Sequence, residues 1–227
     1  QQVYIGVTAF GLTLVMLTGN IDLSVGGVVG LAAIVACDFA HPGEYPLIIP
    51  ILVALGIGAL VGLINGIGIA YGHVPAFIMT LGTNTILRGV IMLYNNGKPV
   101  LNLSEQYQAI GSGYLGKIPI PVIILIAVLL LGWFILNKTR FGRHVLAVGG
   151  NEQAARVSGI NTKLVKITVY IMSGIFSAIA GMIISARVNA GSPTLGTGYE
   201  NDAIAAAVIG GTSMMGGQGS MIGTIGG

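Results

Sequence analysis

The chain has 227 residues, of which 54% are hydrophobic and only 7% are charged, and its mean hydropathy is +0.89. A soluble domain carries about 25% charged residues, so this composition excludes a water-soluble globular protein and indicates a chain embedded in a lipid bilayer. The net charge of +3 does not indicate nucleic-acid binding, because most basic residues lie in one segment. The apolar runs are far longer than the alternating strands of about ten residues in a membrane barrel. We therefore expect an all-α polytopic membrane helix bundle.

The first part of the chain predicts a broken membrane helix. Val3–Thr18 and Val25–Ala36 are apolar but short for a full crossing, and the polar sequence GNIDLS, Gly19–Ser24, separates them. A carboxylate near hydrocarbon is costly and usually faces a cavity or a partner. Asp22 or Ser24 can cap the following helix, and an interrupted helix is tolerated where its backbone lines a cavity. Both residues are candidates for the helix break, for the translocation path, or for both.

Long apolar stretches follow, and we count five spans in all, with a broken or re-entrant element at each end. Small residues repeat every four positions in two stretches, which predicts close helix packing. The long stretches are Pro46–Tyr71, Pro75–Tyr94, Pro119–Leu136 and Ile167–Ala186; the small residues are Ala54, Gly58, Gly62, Gly66 and Ala70 in the first, and Ser173, Ser177, Gly181 and Ser185 in the last.

Polar side chains occur within one of these spans. Asn84, Thr85 and Arg88 lie in Pro75–Tyr94. Asn84 is a candidate residue of the translocation path. Arg88 can snorkel to the interface, form an internal ion pair, or contact a solute.

The segment Asn137–Lys166 holds six of the ten basic residues and a single acid, Glu152. A basic segment between two spans is typical of a cytoplasmic loop. This orientation places the turn at Gly72–Val74 inside the cell. It places Asn95–Ile118 and Arg187–Asp202 outside.

A short helix, Glu152–Ser158, is predicted within the basic segment. Asn151 is a favourable N-cap, Glu152 and Arg156 form an i, i+4 pair, and Gly159 is a natural stop. The helix can rest on lipid headgroups or dock a soluble partner, and the residues alone favour neither. Candidates for coupling to such a partner are Asn151, Glu152, Ala154, Ala155, Arg156, Val157 and Gly159.

A second glycine-rich interruption lies in Gly196–Gly219, where Glu200 and Asp202 precede an alanine-rich run. These acids are further candidates for the path or for a helix break. Paired carboxylates also serve in glycosidases, but nothing else in the sequence supports hydrolysis. The glycines do not form a phosphate loop, because no GKS or GKT follows them.

The histidines are far apart without further ligands at metal-binding spacing. We therefore expect no metal, no cofactor and no enzymatic activity in this chain.

Four stretches together resemble the permease subunits of bacterial ABC importers for ribose, xylose and galactosides. They are GNIDLSVGGVVGLAA, LGTNTILRG, NKTRFGRHVLAVGGNEQAARVSGIN and GTGYENDAIAAAVIGGTSMMGGQGSMIGT, and they match in order and spacing. The resemblance implies a homodimer in the bacterial cytoplasmic membrane that works with ATP-binding cassette subunits and an extracytoplasmic sugar-binding protein. It implies that residues 1–227 are one transmembrane permease domain truncated at both ends, with 137–166 as the cytoplasmic coupling loop. Asn151–Ile160 would be the part that docks on the cassette.

The function expected from the sequence is therefore ATP-driven import of a monosaccharide by alternating access. A neutral sugar needs no fixed charge in its path, so we expect Asp22 and the pair of Glu200 and Asp202 to organise broken helices. Two alternatives stay open. One is a permease for branched-chain amino acids, and the other is a secondary transporter that needs no cassette.

Overall fold

The structure, a computed structural model, describes residues 2–227 and is almost entirely helical. This confirms the expected all-α bundle. The helices are α1 (Val3–Leu17), α2 (Val25–Asp38), α3 (Ile48–Ala70), α4 (Ala76–Tyr94), α5 (Glu105–Ser112), α6 (Ile120–Lys138), α7 (Arg140–Gly150), α8 (Glu152–Val157), α9 (Thr162–Val188), α10 (Tyr199–Ile209) and α11 (Met221–Gly226), and a small antiparallel hairpin joins β1 (Tyr114–Leu115) to β2 (Ile118–Pro119).

Four helices of the described chain, α3, α4, α6 and α9, are long and apolar enough to cross a membrane. This is one fewer than the five spans expected from the sequence. Helix α1 has 15 residues and α2 has 14, so each is roughly 21–22 Å long against a hydrocarbon core of about 30 Å. The four long helices confirm a multi-pass membrane protein.

Helix α9 lies at the centre of the bundle, and α3 packs along one of its faces. Gly58 of α3 meets Gly174 of α9 so closely that a methyl group on either would overlap the carbonyl oxygen of the other. Gly62 is equally close to the carbonyl of Tyr170. The small residues of α3 therefore do pack tightly, as the sequence predicted. The small residues predicted on α9 face other helices: Ser173 lies against Gly11 of α1, Gly181 against Val29 of α2, and Ser185 is hydrogen-bonded to Tyr107 of α5.

We expect Gly58→Ala to destabilise the bundle by about 1–3 kcal/mol, the usual cost of overpacking. Gly56 is the matched control, because it lies on the same helix with no atom within 4 Å of an added methyl group. Gly56→Ala should be neutral or stabilise by up to about 1 kcal/mol, the helix-propensity gain of alanine over glycine. Thermal unfolding in detergent measures both. Equal effects of the two changes would contradict the packing described for α3 and α9.

The break between α1 and α2 is a reversal of the chain. Gly11 of α1 lies against the backbone of Ser173, and Asp22, eleven residues later, accepts a hydrogen bond from the side chain of the same serine. Two collinear half-helices would place these residues far apart along α9. Helices α1 and α2 therefore run side by side along α9 in opposite directions, and the polar turn lies near the middle of α9.

The glycine-rich stretch near the end of the chain forms a second reversal. Gly210, just after α10, lies against Gly223 of α11, so the two helices turn back on each other. The turn contacts the first reversal, since the Gly217 N–H donates to the Leu17 carbonyl at 3.0 Å. Gly149 of α7 packs against both of these residues. Leu17 at the start of the first reversal, the second reversal and α7 of the basic segment are therefore in contact with one another.

The two ends of the bundle agree with the topology expected from charge. The Lys163 ammonium lies 4.3 Å from the centre of the Tyr71 ring, so the turn after α3 and the basic segment share one end. At the other end, Gly111 of α5 packs on the backbone of Arg187. Cytoplasmic placement of the basic end remains a prediction. The outer loop also contains α5, which Ser104 caps through the N–H of Tyr107.

Candidate functional site

Asp22 is the centre of a buried polar network at mid-depth in the bundle. Its side chain is only 2% exposed. Oδ1 accepts hydrogen bonds from the Ser24 N–H at 2.9 Å and the Ser24 hydroxyl at 2.6 Å. Oδ2 accepts from the Ser173 hydroxyl at 2.8 Å. The carboxyl group therefore closes the turn before α2 and ties it to α9.

The network continues from Ser24 into two further helices. The Asn65 amide of α3 donates to the Ser24 hydroxyl at 2.9 Å, and the Thr83 hydroxyl of α4 donates to the Asn65 carbonyl oxygen at 2.6 Å. The Leu23 N–H donates to the Thr80 hydroxyl at 3.0 Å. Because the free backbone groups of the break find partners this way, the interruption can be buried. The chain's own interactions thus account for Asp22 and Ser24, which suits a helix-organising role.

Arg88 faces the interior of the bundle. Its Nη1 donates to the Leu195 carbonyl at 2.8 Å. Its Nη2 lies over Gly26 together with Glu200 Oε2. Asn84, one turn earlier on α4, directs its Oδ1 at Gly27 of the same α2 surface. Asn84 and Arg88, which the sequence analysis placed on one span, are thus brought together with Glu200 from a separate element. Snorkelling of Arg88 is not observed.

Glu200 and Asp202 do not act as a pair. Both lie in the first turn of α10, but only Glu200 faces α2 and α4. Asp202 is exposed and lines a separate cavity of about 660 Å³ between α1, α6, α10 and α11, together with Gly6, Leu125 and Thr224. The two-residue spacing turns the side chains to different sides of the helix. The described residues include no cluster of acids, His or Cys that could hold a metal ion.

The short helix predicted in the basic segment is present as α8. The Asn151 side chain accepts from the Ala154 N–H at 2.9 Å, and Gly159 has a left-handed φ of 84°. Ala155 is buried against the bundle, whereas Ala154 is exposed and the Val157 side chain is 89% exposed. The helix is thus held by one face and presents an apolar face outward.

Helix α7 was missed by the sequence analysis. Thr139 caps it through the N–H of Gly142 at 3.1 Å, and its buried residues include Val145 and Val148. The Thr139 cap followed by apolar residues three apart was the available signal. Because α7 is buried on one face and its end touches both reversals, it connects α8 to the interior of the bundle.

Glu152 forms its close ion pair with Lys166 at 2.7 Å, whereas Arg156, the i, i+4 partner predicted from the sequence, acts on the carboxylate through its charge. The chain turns back between α8 and α9, which brings Lys166 to the carboxylate. Partial burial raises the pKa of Glu152, but the hydrogen bond and charge of Lys166, with smaller contributions from Thr162 and Arg156, outweigh it, and the pKa lies below its ordinary value. The pair thus fastens α8 to α9.

The Glu152–Lys166 pair should stabilise the basic segment by less than about 1 kcal/mol, because Glu152 is partly exposed and solvent screens the pair. A lowered pKa means that this contribution is present above the unfolded pKa of Glu and is lost as pH falls through the folded pKa. A double-mutant cycle with Glu152→Gln and Lys166→Met measures the coupling at neutral and acid pH. Glu44→Gln is the control. A coupling that grows on acidification would contradict the assignment.

Comparison with known proteins places the chain in a transport family. The family profile described as the branched-chain amino acid transport system permease component matches residues 1–227. The ribose import permease protein RbsC of Haemophilus influenzae is 44% identical over 223 residues, which cover 96% of this chain and 69% of that protein. The chain belongs to the permease family of bacterial ABC importers. No solved structure matches it.

Two further relatives show the branch of the family. The galactose/methyl galactoside import permease protein MglC of Haemophilus influenzae is 38% identical over 237 residues, covering 96% of this chain and 70% of that protein. The xylose transport system permease protein XylH of the same organism is 34% identical over 281 residues, covering 97% and 75%. Although the family description names amino acids, these relatives are sugar permeases. The permease therefore belongs to the monosaccharide branch that the sequence motifs indicated.

Proposed function

We propose that this permease forms the membrane pathway of an ATP-driven importer for a monosaccharide, either a ribose-like pentose or a galactose-like hexose. The observation that carries the proposal is 44% identity to a ribose import permease over 96% of the chain. Two copies of the permease would assemble with ATP-binding cassette subunits on the cytoplasmic side. A sugar-binding protein would deliver the solute from outside.

Helix α8 is the proposed docking element for the cassette. Its outward apolar face, Ala154 and Val157, has no partner within the described chain, while Ala155 and the Glu152–Lys166 pair fix it to the bundle. A force on α8 would therefore be passed to α9 directly. It would reach the two reversals through α7, because Gly149 packs against Leu17 and Gly217.

Alternating access would follow from movement of the packed helices. Helices α1, α2 and α3 share α9 as a common support, and the contacts between α3 and α9 are backbone to backbone. Such close-packed helices move as rigid bodies, so cassette closure would tilt them and open the pathway to the other side. The polar network around Asp22 would keep the turn between α1 and α2 intact during this movement.

The proposal is tested by purifying the permease with a candidate cassette and binding protein encoded beside it. We expect a stable complex in which ribose, galactose or xylose, with its binding protein, stimulates ATP hydrolysis. Leucine stimulation instead would favour the branched-chain amino-acid alternative. Solute uptake by the permease alone, without any cassette, would favour a secondary transporter.

A further inference from the structure

The surface of α2 between the mid-membrane break and the outer end carries a small polar niche. Two glycines, Gly26 and Gly27, leave the space that three polar side chains occupy. A methyl group at Gly26 would overlap Glu200 Oε2 and lie 3.3 Å from Arg88 Nη2, and one at Gly27 would lie 2.7 Å from Asn84 Oδ1. We call Asn84, Arg88 and Glu200, with these two glycines, the α2 niche. Its side chains come from two helices, α4 and α10.

The niche has unused hydrogen-bonding capacity. Asn84 Oδ1, Arg88 Nη2 and Glu200 Oε2 are buried and have no hydrogen-bond partner among the described residues. A buried polar group without a partner destabilises the fold, and native proteins retain few such groups without a functional reason. Arg88 is held in place by its other nitrogen, which donates to the Leu195 carbonyl. Two of these atoms lie over Gly26 and the third lies over the adjacent Gly27, so together they mark a place that another molecule completes.

We propose that the α2 niche binds hydroxyl groups of the transported monosaccharide during its passage, an inference that rests on the proposed function. A hydroxyl group both accepts and donates hydrogen bonds. It can accept from Arg88 Nη2 and donate to Glu200 Oε2 or Asn84 Oδ1. The niche supplies one donor and two acceptors, which matches two neighbouring hydroxyl groups of a sugar.

The charges of the niche also fit a neutral solute. Arg88 and Glu200 carry opposite charges and their unpaired atoms lie over the same glycine, so the niche has no net charge. A bare anion would meet the Glu200 carboxylate, and a bare cation would meet the Arg88 guanidinium. The two side chains do not form a direct ion pair, since Nη2 and Oε2 each lack a hydrogen-bond partner. A closed ion-pair latch between α4 and α10 would have satisfied both atoms.

The position of the niche agrees with entry of a solute from outside. Helix α2 starts beside Ser173, near the middle of α9, and Val29 lies against Gly181 two turns further out. The niche therefore lies in the outer half of the bundle. Leu195, in the segment between α9 and α10, covers it. Movement of α10 during the transport cycle would expose the niche and then enclose the sugar.

Cysteine protection tests the proposal in the assembled importer. In a Cys37→Ala background, Leu87→Cys is labelled with a hydrophilic methanethiosulfonate during turnover, with and without the transported sugar, because Leu87 lies over Gly27 beside the niche and is not one of its polar residues. At a sugar concentration ten times the dissociation constant, labelling should slow about tenfold, because bound sugar occupies the site by mass action. Thr85→Cys is the matched control, since Thr85 lies on the same helix and is exposed away from the niche. Sugar should not change its labelling.

Exchanging the charges of Arg88 and Glu200 distinguishes sugar binding from an ion pair that only holds α4 and α10 together. Arg88→Gln and Glu200→Gln should each lower uptake roughly tenfold, the equivalent of one lost hydrogen bond to a charged group. Arg88→Glu combined with Glu200→Arg should not restore uptake, because the hydroxyl partners change places. Restored uptake, or sugar protection that is absent or equal at positions 87 and 85, overturns the niche proposal. Transport of leucine and of no sugar by the unmodified importer would instead contradict the proposed function itself.

Discussion

Replacing Ala154 and Val157 together by Asp should abolish ATP-coupled sugar uptake while leaving the membrane bundle folded. Both side chains are exposed on the outer face of α8 and make no contribution to the bundle core. A carboxylate forced into a dry docking interface without a partner costs several kcal/mol, so cassette affinity should fall by at least about 100-fold. Binding of purified cassette to the permease, ATP hydrolysis and uptake are the measurements.

His73→Asp provides a control for added negative charge on the same end of the bundle. His73 is exposed in the turn between α3 and α4 and has a φ of 53°, which Asp tolerates. It should leave cassette binding unchanged. Normal coupling in the double variant would exclude the exposed face of α8 as the docking surface. Normal cassette binding with altered lipid association would show that α8 rests on headgroups instead.

Asp22→Ala should cause the second large effect, a loss of about 3–5 kcal/mol of stability and of most folded permease in the membrane. The carboxyl group accepts three hydrogen bonds, and each buried group left without a partner costs about 1–3 kcal/mol. A loss of this size is a large part of the total stability of most proteins. Thermal unfolding in detergent and the amount of folded permease in the membrane measure it.

Ser173→Ala is the matched partial change, because it removes one of the three hydrogen bonds to Asp22 and keeps the rest. We expect it to cost about 1–2 kcal/mol and to preserve uptake in part. Asp22→Asn keeps the shape of the side chain but introduces donors where the network needs acceptors. Full uptake and unchanged stability of Asp22→Asn would contradict the organising role of Asp22.

Local signals were sufficient to predict α8 from the sequence. The cap at Asn151 and the stop at Gly159 act within a few residues, so both are visible in the sequence and both are present in the structure. The ion-pair partner of Glu152 could not be predicted from such local signals. It depends on where α9 begins, since the turn between the helices brings Lys166, fourteen residues away, to the carboxylate.

The interior of the bundle was predicted less completely because it is built from distant contacts. The sequence indicated a break at Gly19–Ser24, but only the shared contact of Gly11 and Asp22 with Ser173 shows that the chain reverses there. Small residues on α9 were recognised, whereas the helix that each one faces depends on the rotation of α9 in the bundle. Glu200 and Asp202 looked equivalent in the sequence. They point to different sides of the bundle because both already lie in α10, which begins at Tyr199.

The α2 niche likewise could not be predicted from the sequence. Asn84 and Glu200 were candidates on separate elements, more than a hundred residues apart. Glycines of α2 bring them together by leaving room above the backbone. A glycine in a membrane helix predicts close approach of another group, but the sequence does not say which group approaches.

Accumulation of sugar in proteoliposomes tests the central claim most directly. The permease is reconstituted with its cassette, ATP is supplied on the cassette side, and radiolabelled sugar is delivered by its binding protein on the other side. We expect the internal sugar concentration to rise above the external one with ATP, and to stop rising when Ala154 and Val157 are replaced by Asp. Equal concentrations on both sides, reached with or without ATP and cassette, would contradict an ATP-driven import pathway.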